Sequence, residues 1–267
     1  MPKKTFRPLD FSKVRTYPIK KRFSKVRTAL LGRKIQKGVR LRSFLQGLPD
    51  ILAAQNLKAI ARKIAECHRR NRTVLLGMGA HPIKVGLSPL IIDFMERGII
   101  DAVALNGAGV IHDFELAYMG ETSEDVAASL TDGSFGMGEE TGSFINQAII
   151  DGSKKHLGIG AAVGQAIIKA GLSHRKLSIL AAAARLGIPV TSHVAIGTDI
   201  IHMHPKVDGK ALGDCSLRDF RTLTSVVAQP AASPAPDTIK RAAASLRKLV
   251  VIGSSILKVR SSMATVR

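Results

Sequence analysis

Apolar residues in this chain gather in short runs that end at glycine, and between two of those runs they recur at helical spacing. Thr73-Val74-Leu75-Leu76 reads as a strand and is closed by Gly77-Met78-Gly79. Ile99 to Leu105 reads as a second strand, closed by Asn106-Gly107-Ala108-Gly109. Between them Leu87, Ile91 and Met95 share one helical face, and Gly98 suits a helix stop. Strand, glycine turn, helix, strand and glycine turn predict a parallel α/β sheet of the doubly wound kind. Ligands of such sheets bind outside the carboxyl ends of the strands, where these glycines fall. Glycine lets a backbone approach phosphate or ribose without a Cβ in the way, and it also makes tight turns with no ligand at all. The spacing leaves both uses open, because Pro82 stands where the third glycine of GxGxxG belongs and Gly107-Ala108-Gly109 leads into Val110-Ile111-His112.

The same patterning extends outward. Ser43 to Leu48 reads as helical, and Pro49-Asp50 opens a longer helix with Ile51, Leu57, Ile60 and Ile64 on one face. A helix is expected from Asp113 to Met119 after the second turn, and Thr122-Ser123-Glu124-Asp125 offers a cap for another. Residues 131–142 read as a glycine-rich loop, either a cover over a ligand or a surface connection, followed by a helix around Phe144–Ile150. Gly158 to Ala170 and Ser178 to Leu186 read as two alanine-rich helices, and Val190 to Ile196 as a third buried strand running into Gly197-Thr198-Asp199. Beyond Val227 the texture changes to a Pro/Ala linker, QPAASPAP, and a basic Ala/Ser-rich tail in which Val250-Val251-Ile252-Gly253 is a short strand candidate. The chain reads as free of repeats. Three parts follow: an arm over 1–42, a body over 43–228 and a tail over 229–267.

Charge sharpens that division. The formal net charge is +20, yet residues 1–42 hold 15 Lys/Arg against Asp10 alone, and residues 229–267 hold seven against Asp237 alone. The body balances 18 basic with 18 acidic residues, so the excess lies wholly in the ends. Basic arms of this kind bind nucleic acid or anionic lipid by counterion release, or remain solvated; an organelle transit segment is a further reading of the first. The absence of Trp and the two Tyr argue against a carbohydrate platform or a stacked single-stranded RNA reader. Cys67 and Cys215 stand far apart in no motif, which suits a reducing, cytoplasmic setting. No apolar run approaches the length of a membrane span, so no membrane partner is expected.

Polar residues at the strand ends are the candidates for chemistry: His81, Asn106, His112, Asp113, Thr198 and Asp199. His112 is a candidate proton carrier, since imidazole titrates near neutrality. Asp199 suits ribose hydroxyls or a cationic amine, and Asp113 suits the same or a helix cap. Lys84 reads as a phosphate contact or a solvated lysine. His193, His202 and His204 offer a metal reading, since His202 and His204 share one face of an extended chain, but no further ligand falls at a recognisable spacing. No GxSxG and no Walker A lysine is present, which leaves hydrolase and P-loop readings without support.

At these residues the chain resembles the deoxyhypusine synthase family, in particular its bacterial deoxyhypusine synthase-like branch. Gly79-Ala80-His81 falls where the family carries a turn before a helix. Ile100 to Asp113, IDAVALNGAGVIHD, resembles the family's VDxLVTTAGGxEED stretch, and Ile188 to Met203 resembles IPVxxPALTDGSxGDM. The similarity covers about residues 45–227 in consistent order. It implies a Rossmann-like fold that binds NAD and assembles as a homotetramer. It also implies a reaction in which a polyamine is oxidised and cleaved and its aminobutyl group passes through an enzyme lysine to a protein lysine. On matched positions Asn106, Gly107, Ala108, Gly109 and Asp113 would line NAD, and Thr198 with Asp199 would hold ribose or amine. Gly77 and Gly79 of the first glycine turn are cofactor-binding candidates beside them. The chain departs from the pattern in reading LNGAG for TTAGG, in carrying His112 at one of the paired acids, and in lacking a counterpart of the family's lysine motif. Lys248 and Lys258 lie in the tail without that motif around them.

Overall fold

The computed structural model describes residues 7–228 and 250–252. Residues 1–6 of the arm, the Pro/Ala linker and most of the tail, with Lys248 and Lys258, lie outside them. The chain divides into two compact units between Ala59 and Ile60. In the first unit, 3-10 turns at Ile19–Lys21 and Thr28–Leu30 precede helix α1 (Leu41–Gly47). The Lys58 ammonium donates to the Leu48 carbonyl at 2.6 Å, and the backbone N–H groups of Arg33 and Asp50 bond to Gly47 and Leu30. Helix α2 (Leu52–Arg69) begins in this unit and ends in the second. Among the described residues of the arm, the large apolar side chains from Leu9 to Leu41 stay exposed with the exception of Leu30, which is half-buried.

The second unit is mixed α/β around a small parallel sheet. Strands β1 (Val74–Met78), β2 (Ala102–Asn106) and β3 (Val190–His193) pair in parallel, with Leu76 opposite Val103 and Leu105 opposite Ser192. A short β4 (Val250–Ile252) pairs parallel with the other side of β1, which gives the order β3-β2-β1-β4. The chain therefore moves to one side of β1 and returns on the other. Such a reversal is a topological switch point, and it falls beside the end of β1 at Met78-Gly79. The arrangement is consistent with the Rossmann-like expectation, on a sheet much smaller than that fold usually carries.

Helices α3 (His81–Lys84), α4 (Ser88–Glu96), α5 (Gly107–Met119), α6 (Val126–Asp132), α7 (Glu139–Lys154), α8 (Ile159–Ala170), α9 (Ile179–Leu186) and α10 (Gly209–Ala228) complete the described body. Phe114 of α5 is fully buried and stacks on Phe144 of α7 at 4.5 Å between ring centres. Around it Val103, Leu105, Val163, Ile167, Ile179 and Leu180 form a continuous apolar core. Burying a side chain of that size contributes roughly 1.5–3 kcal/mol, so this layer dominates the stability of the body. The contact of α8 with α9 is close because Gly164 carries no Cβ; one built there would collide with the Leu180 carbonyl.

Several boundaries differ from those the pattern predicts, each for a local reason. Strand β2 starts at Ala102, because the N–H groups of Ile99 and Ile100 turn back to the Phe94 carbonyl and finish α4. Helix α5 starts at Gly107 and not at Asp113, because the Asn106 side chain caps it by accepting from the Gly109 N–H at 2.9 Å. Helix α7 starts at Glu139, inside the expected loop, with Glu139 and Glu140 in the first turn where a helix favours acids. Strand β3 stops at His193, and residues 195–198 form a turn. The 20-residue α10 was not anticipated at all. Among the described residues no helix is long and apolar enough to cross a membrane.

Candidate functional site

Parallel pairing brings the carboxyl ends of the strands to one edge: Met78 lies opposite Leu105, and Asn106 opposite His193. The turn after β2 is the most constrained part of this edge. Asn106 spends its carbonyl oxygen on capping α5, and its amide lies over Gly79, 3.4 Å from where a Cβ of that residue would sit. Gly107 and Gly109 are buried, Ala108 half-buried and Asn106 exposed. Gly77 lies within β1, half-buried.

Asp199 reaches this turn from the loop that follows β3. It is 8% exposed, and its carboxylate fills the space that a side chain on Gly107 would need. Gly107 is thus glycine because a carboxylate packs against its backbone. One Asp199 oxygen accepts a single long bond, from the Ala195 N–H at 3.3 Å. Among the described residues no cation is within ion-pair range of it. A carboxylate can accept about four hydrogen bonds, so Asp199 retains capacity for a ligand hydroxyl or ammonium. Thr198, its neighbour, is exposed.

Asp113 belongs elsewhere. It is fully buried, and its oxygens accept from Ser178 Oγ at 2.5 Å, the Ile179 N–H at 2.7 Å and the Leu180 N–H at 3.2 Å. From α5 it caps the start of α9, a different helix from the one the sequence suggested. Burial pushes its carboxyl up to about 6 despite those three bonds. Its oxygens are turned into the protein and hold helix against helix. Asp219 of α10, which sequence reasoning passed over, does the same for α8 and β3. It accepts from the Gly160 N–H at 3.2 Å and the Ser192 N–H at 2.8 Å, and burial likewise pushes it up to about 6. Its only sequence signal is position: Leu212, Cys215 and Asp219 lie on one helical stripe, with a carboxylate where an apolar residue belongs.

His112 faces a polar network. Thr122 Oγ1 donates to Glu115 Oε2 at 2.5 Å, so with its one proton committed it accepts from His112 Nδ1 at 2.6 Å. Thr141 Oγ1 donates to the other Glu115 oxygen at 3.2 Å. Burial acts to raise the Glu115 carboxyl, but the nearby His112 imidazole, 3.6 Å away, and the bonds from Thr122 and Thr141 outweigh it and hold the group below the ordinary value. Glu115 and Thr122 line a cleft of about 310 Å³ together with Glu121, Glu124, Glu140 and Tyr118. Four carboxylates and no Lys or Arg line that cleft, and Ile200, next in the chain to Asp199, forms part of its wall. None of these four glutamates was singled out as a ligand from sequence; the i, i+3 pairing of His112 with Glu115 was the available sign.

The remaining candidates scatter. His193 meets Thr191 Oγ1 at 3.0 Å, and burial lowers its pKa. His204 pairs with Glu139 at 3.1 Å, and both nitrogens of His202 are buried without a partner. Among the described residues no group of three potential ligands is placed to hold a metal ion, so the three histidines do not converge. His81 and Lys84 are exposed on the single-turn α3. Both cysteines are buried and unpaired, and burial pushes Cys215 up to about 11.

No family model matches the sequence, and no curated protein matches it. Among solved structures, the chain is similar to a protein from Entamoeba histolytica described as a "putative deoxyhypusine synthase". The superposition has a TM-score of 0.44 at 14% identity, over 73% of this chain and 78% of that one.

Proposed function

We propose that the body binds a nucleotide cofactor, NAD, at the Asn106–Gly109 turn and acts on a polyamine or related amine held in the adjoining acidic cleft. The single observation that carries this reading is the Asp199 carboxylate, nearly buried on Gly107 and, among the described residues, with one long hydrogen bond and no cation beside it. Burying an under-partnered carboxylate costs several kcal/mol, roughly, so a ligand group that completes its bonding is stabilised there. Its position also restricts the cofactor's orientation. Asp199 stands at the start of α5, where a phosphate would otherwise sit, and two anions repel at that spot. The turn therefore fits the hydroxyl-bearing ribose of NAD, on Asp199 with Thr198 and the Asn106 amide at hand, and the phosphates lie away from the α5 terminus.

The cofactor, when bound, supplies a hydride acceptor. The chain supplies the rest. Glu115, Glu121, Glu124 and Glu140 attract a polycationic amine, because a cleft of one sign concentrates ligands of the other. The His112–Thr122–Glu115 chain fixes the imidazole with its Nδ1 proton directed at Thr122, which leaves Nε2 to take up or release a proton. Activity would be of the aminoalkyl transferase type, with a protein lysine as acceptor and a homotetramer as the assembly, in line with the family the sequence resembles. Calorimetric titration with NAD, with and without spermidine, tests the reading. Binding that tightens with spermidine supports it, and no NAD binding at millimolar concentration overturns it.

A second reading has its own observation, the confinement of excess positive charge to the ends of the chain. On that reading the arm binds RNA or a ribosomal surface. Replacing the basic residues between Phe11 and Thr28 by glutamine should then abolish salt-sensitive RNA retention.

A further inference from the structure

The arm does contain a repeat, contrary to the reading of the chain as repeat-free. Phe11-Ser12-Lys13-Val14-Arg15-Thr16 recurs without change as Phe23-Ser24-Lys25-Val26-Arg27-Thr28, twelve residues on. Tyr17 falls midway, so an aromatic ring stands at every sixth position: Phe11, Tyr17, Phe23. All three rings are displayed, at 71%, 65% and 79% exposure, as are Val14 and Val26. No acid occurs between Phe11 and Thr28, whereas seven Lys or Arg do. Exposing three rings without burying them anywhere costs apolar stabilisation that the arm forgoes, which marks them as surfaces for another molecule.

What that molecule is follows from alternation. In an extended chain successive side chains point to opposite sides, so residues of one parity share a face. The odd positions are Phe11, Lys13, Arg15, Tyr17, Ile19, Lys21, Phe23, Lys25 and Arg27, which place the three rings and five of the seven cations on one side. The even positions are mostly small or neutral, among them Ser12, Val14, Thr16, Ser24, Val26 and Thr28. Backbone on either side of the Ile19–Lys21 turn is already extended, with φ and ψ of −65° and 126° at Pro18 and −80° and 133° at Arg22. An extended bound form gives up a turn bonded from the Val14 N–H to the Phe11 carbonyl and the Asp10 bonds from Ser12. It also opens the Ile19–Lys21 turn, held by the Lys21 N–H on the Pro18 carbonyl and the Arg22 N–H on the Ile19 carbonyl, and only then does Phe23 join the face of Phe11 and Tyr17. A membrane-surface segment separates its apolar from its cationic face, the former entering lipid and the latter facing headgroups. Here rings and cations interleave on the same face. The ligand that offers flat apolar surfaces and anions side by side is a single-stranded nucleic acid, whose bases stack on rings while its phosphates meet Lys and Arg.

We propose that residues 11–28 form a two-copy site for single-stranded RNA or DNA, read through stacking on Phe11, Tyr17 and Phe23. The proposal rests on the second reading above, that the arm binds nucleic acid, and it adds strandedness, a face and a repeat. It also revises the inference from overall composition: aromatic residues are scarce in the chain as a whole but regularly spaced where the charge is. Because the two copies are tethered, the second binds at a high effective concentration once the first is engaged.

The test uses the full chain and a fluorescein-labelled, mixed-sequence single-stranded RNA of about twenty nucleotides, with the corresponding duplex and phosphatidylserine vesicles as competitors. Phe11→Ala/Tyr17→Ala/Phe23→Ala is compared with Val14→Ala/Val26→Ala, which removes apolar surface from the other face. The expected loss is at least tenfold in single-strand affinity for the aromatic triple, on the order of stacking energies per ring, with little change for the valine pair and an unaltered salt slope. Lys13, Arg15, Lys21, Lys25 and Arg27 changed together to glutamine should instead flatten the salt slope. If the aromatic triple binds as tightly as the natural chain while the glutamine variant does not, the stacking site is wrong and the simpler electrostatic reading survives. If neither set changes binding, both fail. Vesicles competing better than the single strand would also overturn the proposal and assign the arm to a lipid surface.

Discussion

Asp113 and Asp199 flank opposite ends of the same architectural idea, a carboxylate placed at the start of a helix, and they differ in how many partners they have. Asp113, with Asp219 alongside, is better partnered: Asp113 receives the Ser178 hydroxyl and two N–H groups at the start of α9, and Asp219 receives one N–H from α8 and one from β3. Asp199 lies against the backbone at the start of α5 and receives one long bond from its own loop. Burial is similar in all three. A buried acid is structural when the protein completes its bonding and a ligand site when the protein stops short. Partner count, more than burial, separates the two regions.

The largest effect should come from emptying one of the partnered sites. Asp113→Ala or Asp219→Ala leaves several buried donors unpaired and should lower unfolding free energy by about 3–5 kcal/mol, read by urea unfolding at constant slope. A loss under about 1 kcal/mol in both would break the comparison. The same two groups make a pH prediction. Burial raises both carboxyls from 3.8 to about 6 in the folded protein, so between those values the folded state binds more protons than the unfolded chain. Their contribution therefore favours folding below about pH 4 and is lost as pH rises through 6, by on the order of 2–3 kcal/mol per group. Asp113→Asn should remove its share of that slope. The measurement is the difference in unfolding free energy between variant and natural chain at pH 4, 5, 6 and 7, and a difference that does not vary with pH would refute the assignment.

Gly107→Ala sharpens the other side. Its methyl would collide with the Asp199 carboxylate, so Asp199 must leave the turn, at a cost of about 1–3 kcal/mol in stability and with loss of NAD binding. Retained NAD binding in that variant would show that the turn is not the cofactor site. The smallest stability loss belongs to Asp199→Asn, which keeps size and removes charge. It should weaken NAD or amine binding by about 1–3 kcal/mol in calorimetry without lowering stability, since it relieves an under-partnered buried charge. A stability loss as large as that of Asp113→Asn would place Asp199 with the structural acids.

Much of the body was legible because local chemistry and final structure agree there. Gly98, Gly171 and Gly187 each take positive φ near the end of a helix, as a stop signal should, and Ser178 caps α9 by accepting from the Ala181 N–H at 2.9 Å. The proximity of Asp199 to the Asn106 turn was also foreseeable, since parallel strands bring their carboxyl ends to one edge. Asp113 shows the limit. Sequence places it in the first turns of α5 and offers a cap for that helix, but its partners are 65 to 67 positions away, at Ser178, Ile179 and Leu180. Likewise α10 was missed because its apolar stripe is thin and interrupted by Asp219, whose purpose appears only once β3 and α8 lie against it.

The sequence by itself determined the parallel α/β class of the body, the positions of its strands and glycine turns, the division of charge between body and ends, and the doubled FSKVRT segment. These are properties of periodicity and composition, which act over a few residues. Tertiary structure alone decided which acids are satisfied, that Asp199 packs on Gly107, and that four glutamates from α5, α7 and the segment between α5 and α6 line one cleft. Hydrogen bonding and electrostatics depend on distance in space, and a carboxylate has the same letter whether its partners arrive or not.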